Sequence, residues 1–569
     1  MAAGPVTDLG PQQFRDRAIG AFRTGDTAGA LSALEEGLEK HPNHAQLANT
    51  AGDIYLKSGD AVSAIMHFGN AAALEPQSTQ YAINHAIALS AADRHHHALD
   101  VLRRVETNGR KLAVYCSTRG NAARGANLLA EAQEWYDHAL AIEPQRPLAL
   151  HGRARVAIER GDDQAVQWFD RALAVNSGDA DAWLGKAQAL DVAGDTNGAR
   201  QIAEAIVQQA PGWAEGLRFL AQLRLSASET DFSSHYGAAA KLVPQDPSIY
   251  SEWCATLASL DFDEKAAEVA VEAQKAFPAN AHFTFLEAVH ASSSGQLDRA
   301  EAIFAKLEQQ DDNRWLQEAR HRIRIGEVER ANNLVEKILA QDPWNISAWA
   351  IRGVVWRLGQ DPKSVWLQEQ EGLVQLRPLR DAETLLPEVV PFMHELHDRS
   401  TFPLGQSLRG GTQTRGNLFA RPEPLLARLK EAIMETVEDY RQALPPQDAK
   451  HPLLRTRELQ WAMEGAWSVR LAGGGDFHAS HIHPQGIVSS ALYLELPKDR
   501  GDDPKAGWLE IGRPAKDLGL EIGPLKTIEP KEGHLALFPS TLYHGTRPFR
   551  GDRRMTVAFD VNLQKGTPQ

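Results

Sequence analysis

The stretch Gly52–Pro76, GDIYLKSGDAVSAIMHFGNAAALEP, decides how most of this chain folds. A small residue, Gly52, stands three positions before an aromatic, Tyr55; Ala64, Phe68 and Ala71 then follow at intervals of four and three, and Pro76 closes the stretch. Intervals of three and four keep side chains on one face of a helix. Two antiparallel helices pack closely only where small residues face each other. The larger aromatic fills the remaining hole, and proline ends the second helix because its nitrogen has no proton to donate. The frame recurs. Counted back from Pro144 it gives Gly120, Ala132, Tyr136 and Ala139, and from Pro278 it gives Ala266, Ala270 and Ala273. Pro42, Pro76, Pro144, Pro211, Pro244, Pro278 and Pro343 follow one another at 34, 68, 67, 33, 34 and 65 residues, single or double steps of one period. The skipped positions carry other helix breakers: Asn108-Gly109, Ser177-Gly178 and Asp311-Asp312-Asn313.

A two-helix unit of about 34 residues is the tetratricopeptide period. Residues 13–378 resemble tetratricopeptide-repeat proteins, with about ten repeats. The resemblance implies an all-α solenoid whose extended concave surface holds peptides or protein segments.

Length and composition bound the rest. The 569 residues are 43% hydrophobic, 24% charged and 7% aromatic, enough to build packed cores rather than a disordered chain. No apolar run approaches the roughly 20 residues needed to span a bilayer. Met1–Arg15 lacks a signal-peptide pattern, and two cysteines, Cys116 and Cys254, can form neither a disulfide framework nor a cysteine-rich metal site. A reducing, cytoplasmic setting is expected. The net charge of −14 disfavours a nucleic-acid partner, which would ask for a basic stripe.

After Leu376 the period is lost. Residues 379–422 carry Pro387, Pro391, Pro403 and a glycine-bearing stretch from Ser407 to Thr414, whose Arg409-Gly410-Gly411 is either a lid or a connector. A helix is predicted over about 424–443 from the stripe Leu425, Leu426, Leu429, Ile433 and Val437. Short β-branched and aromatic runs at 466–471, 487–496, 508–511, 534–538 and 555–561 then predict a compact, largely antiparallel β domain over 379–569.

Chemistry gathers in that domain. In Asp476-Phe477-His478-Ala479-Ser480-His481-Ile482-His483-Pro484, strand alternation puts His481 and His483 on one face and Ile482 on the other. Two imidazoles so placed can share a divalent metal, and imidazole alone does not choose among iron, zinc, copper and nickel. His544 follows 61 residues after His483, Arg554 ten residues later, and Tyr493 lies inside a strand. Each has an ordinary structural reading by itself; the combination and its order point to a site. His478 and His534 read as outer or surface residues, and His95-His96-His97 as a solvated helix face.

Residues from about 395 to 563 resemble the 2-oxoglutarate/Fe(II)-dependent oxygenases that follow tetratricopeptide repeats in bacterial proteins. The matching stretches are Gln406–Thr414, Trp467–Leu471, His481–Pro484 with Ser489–Tyr493, Gly533–His544, and Arg554–Phe559. The resemblance implies a double-stranded β-helix (jelly-roll) domain with iron and 2-oxoglutarate as cofactors and O2 as co-substrate. His481 and His544 become iron ligands. His483 stands where the wider superfamily has Asp or Glu, leaving three readings: an all-histidine triad of His481, His483 and His544; His483 and His544 with Gln485 or water; or a carboxylate, Asp476 or another, from elsewhere. The first is carried forward. Arg554 would pair with the distal carboxylate of 2-oxoglutarate, with Thr556 and Tyr493 adding hydroxyl bonds. The expected activity is hydroxylation of a protein or peptide recruited by the repeats; the alternatives are a small-molecule oxygenase, or a repeat scaffold carrying an inactive oxygenase-like domain.

Overall fold

The computed structural model describes residues 9–398, 408–414, 416–472, 476–498 and 503–564, in two compact units, Met1–Ala189 and Leu190–Gln569. Gln406 and Ser407 of the glycine-bearing stretch lie outside the described residues. The fold class is as expected: stacked helix pairs followed by an antiparallel β region. Among the described residues no helix is long and apolar enough to cross a membrane.

The first unit is built of antiparallel helix pairs such as Ala45–Lys57 with Ala61–Leu74 and Ala113–Gly125 with Leu129–Ile142. The sequence frame explains the packing atom by atom. A Cβ placed on Gly52 would run into the ring of Phe68, and one on Gly120 into that of Tyr136. Tyr55 is less deeply placed and stacks on His67, ring centroids 5.1 Å apart. Each of the seven prolines lies two residues beyond the last residue of a second helix, from Lys40 before Pro42 to Gln341 before Pro343. Two of the substitute breakers behave differently. Asn108-Gly109 sits within a short helical turn, Glu106–Gly109, and Asp311 starts a helix by accepting from Arg314 N at 2.9 Å. Aspartate and asparagine stop one helix and cap the next with the same side chain, so a breaker in sequence can be a start in structure.

In the second unit the repeats continue to helices Val328–Gln341, Ile346–Leu358 and Lys363–Gln368 and lead directly into the β region. Its strands are β1 (Gln375–Pro378), β2 (Leu408–Arg409), β3 (Thr412–Gln413), β4 (Trp461–Leu471), β5 (Phe477–His478), β6 (Val488–Glu495), β7 (Leu509–Ile511), β8 (Lys526–Ile528), β9 (His534–Pro539), β10 (His544–Thr546) and β11 (Arg554–Leu563). A six-stranded sheet runs β1-β9-β6-β11-β4-β3, a smaller one β10-β7-β8, and β2 pairs with β5. β1, read from the sequence as the end of the repeats, is the outer strand of the large sheet. Its Pro378 opposite His534 suits that edge, where a missing N–H costs no ladder bond.

Two helices back the large sheet. Ala382–Asp398 and Pro424–Gln442 bury Leu385, Val389, Met393, Leu429, Ile433 and Val437 against Leu492, Leu535, Val557 and Phe559. The first contains both Pro387 and Pro391, which the sequence shows just after the repeat period is lost. Burial of its apolar stripe outweighs the two lost backbone bonds. Gly410 and Gly411, both at positive φ, form the tight turn between β2 and β3. A Cβ on Gly411 would strike the backbone of Arg470 and Leu471. β2 pairs with β5 and β3 with β4 on either side of this turn.

Candidate metal centre and cofactor pocket

β11 lays out the site. Alternation along the strand sends Met555, Val557 and Phe559 into the helix-backed core. It sends Arg554, Thr556, Ala558 and Asp560 to the other face, where all four line a cavity of about 1700 Å3. His481, His483 and His544 line the same cavity.

The three histidines arrive from two segments tied by backbone. His481 N donates to His544 O at 3.0 Å, and His544 N to His481 O at 2.9 Å. Their ring centroids lie 4.4 to 5.1 Å apart, and one nitrogen from each ring can be chosen so that all three fall within 4.8 Å of one another. The tautomers follow from the second ring nitrogen. His481 Nδ1 is 2.7 Å from Ala479 O, and His544 Nδ1 is 3.1 Å from Leu542 O. A carbonyl only accepts, so both Nδ1 atoms carry protons. His483 Nδ1 lies 2.6 Å from Asp560 Oδ1, which accepts in the same way. Every ring therefore presents the lone pair of Nε2 inward, and the Nε2 atoms of His481 and His483 stand 2.9 Å apart. Two lone pairs at that distance repel unless a proton or a cation lies between them. Burial drives the His544 pKa well below the ordinary imidazole value, and His481 and His483 push it the same way. Nε2-inward imidazoles with anchored Nδ1 protons are a donor set that suits a divalent first-row metal.

Aromatic rings flank two of the imidazoles. Trp467 stacks on His483 at 5.6 Å and the Phe538 ring lies 4.7 Å from His544. Of the other ligand candidates, Gln485 is exposed on the cavity lining, and Asp476 uses Oδ2 to accept from Ala472 N at 2.9 Å. His478 stacks 6.1 Å from His481, while His534 turns Nδ1 to Glu532 O at 3.0 Å and His96 and His97 are exposed. Cys116 and Cys254 are buried in repeat helices.

Arg554 stands six residues from Asp560 along the same strand face. It is 2% exposed, its Nε finds no acceptor, and no carboxylate among the described residues pairs with it. Its guanidinium carbon lies 5.4 Å from the centre of the Tyr493 ring. Burial works against the arginine's charge, which Tyr493 only partly offsets, and burial pushes the Tyr493 phenol up to about 12. The Tyr493 hydroxyl interacts with the Arg554 guanidinium, which offsets part of the effect of burial on the phenol. Thr556, 3% exposed, lies opposite Tyr493 in the β11–β6 register. A desolvated guanidinium with unmatched donors beside two hydroxyls fits a carboxylate ligand.

The sequence reading missed Asp560. Its signal was available: Arg554, Thr556 and Asp560 are separated by even numbers of residues on one strand. The reading also could not see that Ala258, Ser259, Asp261, Asp263 and Ser293 of the repeat helices line the same cavity.

Residues 465–560 match the model of a family described as "Putative 2OG-Fe(II) oxygenase", and residues 15–82 and 163–223 match tetratricopeptide-repeat models. Protein FlbA of Caulobacter vibrioides is 27% identical over 148 residues, 26% of this chain and 25% of FlbA, so the match spans about a quarter of that relative's length. Among solved structures, a tetratricopeptide repeat protein from Parabacteroides merdae is 15% identical, with a TM-score of 0.37 over 43% of this chain and 97% of that one. The PilF protein of Pseudomonas aeruginosa is 17% identical, with a TM-score of 0.33 over 37% and 96%.

Proposed function

For a chain that carries tetratricopeptide repeats and, over residues 465–560, a domain matching a 2OG-Fe(II) oxygenase family, we propose the activity of an Fe(II)- and 2-oxoglutarate-dependent dioxygenase that hydroxylates a protein or peptide. The observation that carries this reading is the layout along β11: a cluster of three imidazoles, Nε2 inward, at one end and a buried guanidinium without a carboxylate at the other. His481, His483 and His544 would hold the iron. Arg554 would hold the distal carboxylate of 2-oxoglutarate, with Thr556 and Tyr493 supplying hydroxyls. When bound, this pair of cofactors supplies O2-dependent oxidative decarboxylation to succinate and CO2, coupled to insertion of oxygen into a C–H bond.

The chain's own residues prepare the site. Asp560 and the carbonyls of Ala479 and Leu542 hold the Nδ1 protons and so aim the Nε2 lone pairs. Phe538 packs against His544 and Trp467 stacks on His483, which limits the positions the two rings can take. Tyr493 stays protonated and can donate. A polypeptide substrate is supported by the cavity's 1700 Å3, above the roughly 300–1,000 Å3 usual for small-molecule pockets, and by the repeat residues in its lining.

The test is anaerobic addition of Fe(II) and 2-oxoglutarate to the metal-free full chain, watching for the weak visible charge-transfer band of the chelate, followed by O2 and measurement of succinate. A band that His544→Ala abolishes, with 2-oxoglutarate turned over to succinate, supports the enzyme. No band and no succinate, even with cell extract as substrate, returns the protein to a repeat scaffold with an inactive domain.

A further inference from the structure

The segments that carry the histidines have two faces. His481 and His483 turn to the cavity, and Ile482 between them, which also borders it, packs against the hydrophobic core of the last repeats. His544 likewise turns to the cavity, and Tyr543, the residue before it, is 4% exposed inside that same core with Trp315, Ile351, Val355 and Leu367. Alternation makes this possible, since neighbours in extended chain point opposite ways.

The strand that bears His544 is short. β10 has three residues, paired to the equally short β7, and its other tie is the backbone bridge to His481. A ladder of that length fixes a side chain poorly by itself. The repeats supply what the sheet lacks. Arg320, on the repeat helix Asp312–Arg324, donates from Nη1 to the Tyr543 hydroxyl at 3.3 Å and from Nη2 to Asp517 Oδ2 at 2.5 Å. Arg324, one turn on, donates to the same carboxylate at 2.8 Å and to Asp517 O at 2.6 Å. Asp517 belongs to the helical turn Lys516–Leu518, whose Leu518 is fully buried in the repeat core and whose Lys516 and Asp517 line the cavity. Burial pushes the Asp517 carboxyl up, and the two guanidinium groups more than reverse that, so it stays ionised.

We propose that the last repeats are a structural part of the metal centre: Arg320 is a positioning residue that, through the Tyr543 hydroxyl and Asp517, holds His544 in place for metal binding. The proposal deepens the metal-centre reading above and rests on it. Peptide-binding repeats and catalytic site are thereby one framework, and helix Asp312–Arg324 reaches the metal through a single side chain.

The test uses Co(II) as the probe, titrated into the metal-free full chain and followed by its visible d–d bands. Arg320→Met and Tyr543→Phe are compared singly and together. Each single change is expected to weaken Co(II) by about tenfold, the lower end of the roughly 10–100-fold that outer-shell losses cost, and to alter the band shape. The double variant should be no weaker than the weaker single, because both changes cut one link. A purely structural role would lower the melting temperature and leave affinity and bands alone; folded variants that bind Co(II) within about twofold of the parent, with its spectrum, overturn the proposal. Should Arg320→Met fail to fold, Tyr543→Phe, which removes one oxygen, decides alone by the same criterion. His544→Ala is the control: if it leaves Co(II) binding intact, the metal-centre reading itself falls and takes the proposal with it.

Discussion

The repeats and the β domain treat the same buried side chains in opposite ways. Arg119, 7% exposed at its side chain, meets Glu106 and Glu131; Arg153, 6% exposed, meets Asp137 and Asp162; Arg322, 7% exposed, meets Glu318, Glu301 and Glu327. Arg554, deeper than any of them, meets no carboxylate among the described residues. Histidines divide likewise. His321 of the repeats lies between Ser292 and Glu301, with both ring nitrogens engaged; His451 of the β domain, away from the site, is engaged likewise by Leu367 O and the amides of Leu453 and Leu454. In the triad one nitrogen of each ring is engaged by the protein and the other is aimed at its neighbours. Burying a charge or a lone pair costs free energy unless a partner offsets it. In the repeats, and at His451, the partner is in the chain; at the cavity face of β11 and the triad the arrangement calls for one from outside. That difference, more than burial itself, separates structure from site.

The sharpest way to break the comparison is to remove a triad histidine. His483→Ala should lose iron as badly as His544→Ala, each by more than the roughly 10–100-fold of an outer-shell loss, read by metal analysis after dialysis. If His483→Ala keeps full metal and turnover, the third ligand is another group and the all-histidine reading fails. Asp560→Asn comes next. It keeps the shape but weakens the hold on the His483 proton, and metal affinity should fall about 10–100-fold. Arg554→Met and Arg322→Met then test the arginines against each other. Arg554→Met should weaken 2-oxoglutarate binding roughly ten- to hundredfold, as expected for a lost charge-assisted bond, while leaving Co(II) affinity and the melting temperature unchanged or the latter raised. Arg322→Met should instead destabilise the fold by about 2–3 kcal/mol, less than the roughly 3–5 kcal/mol of a fully buried pair because Glu301 and Glu327 are more than a third exposed. If both arginine variants lose stability alike, Arg554 is an ordinary structural residue.

What the sequence displays and what it hides follows the same division. Repeat contacts are local, so a period of about 34 with Gly52 under Phe68 and Gly120 under Tyr136 can be read along the chain. The strands over 461–471, 488–495, 534–539 and 554–563 are visible for a similar reason, since alternation is local too. Hidden are features set by distant partners. Helix Ala382–Asp398 keeps two prolines because of the sheet beneath it, and β1 is a strand because β9 lies beside it. In the site, the convergence of His481, His483, His544 and Arg554 was anticipated by residue order and resemblance. The groups that fix the tautomers were not: two are backbone carbonyls, which no residue type announces, and Asp560 shows itself only once β11 has a register.

A last test separates structural from site histidines by pH. Burial holds the His451 pKa down to about 4, against 6.5 for a free imidazole, and the contact with Leu367 O offsets little of this. The unfolded chain then takes up a proton near pH 6.5 and the folded chain only near pH 4. Stability contributed by neutral His451 is therefore complete above about pH 6.5 and is lost as the pH falls through that window, by about 1.4 kcal/mol per pH unit. His235, held down to about 4, and His397, held down to about 3, act in the same direction. His451→Gln can still accept from the Leu453 amide and donate to Leu367 O, yet it cannot titrate. Chemical denaturation of the metal-free chain between pH 6.5 and 4.5 should show the parent's slope reduced by one proton in this variant, with Co(II) affinity at pH 7 unchanged. An unchanged slope would mean that His451 is protonated in the fold. A change in Co(II) affinity would mean that this histidine, 5.1 Å from the Trp366 ring at the end of the repeats, is coupled to the metal centre after all.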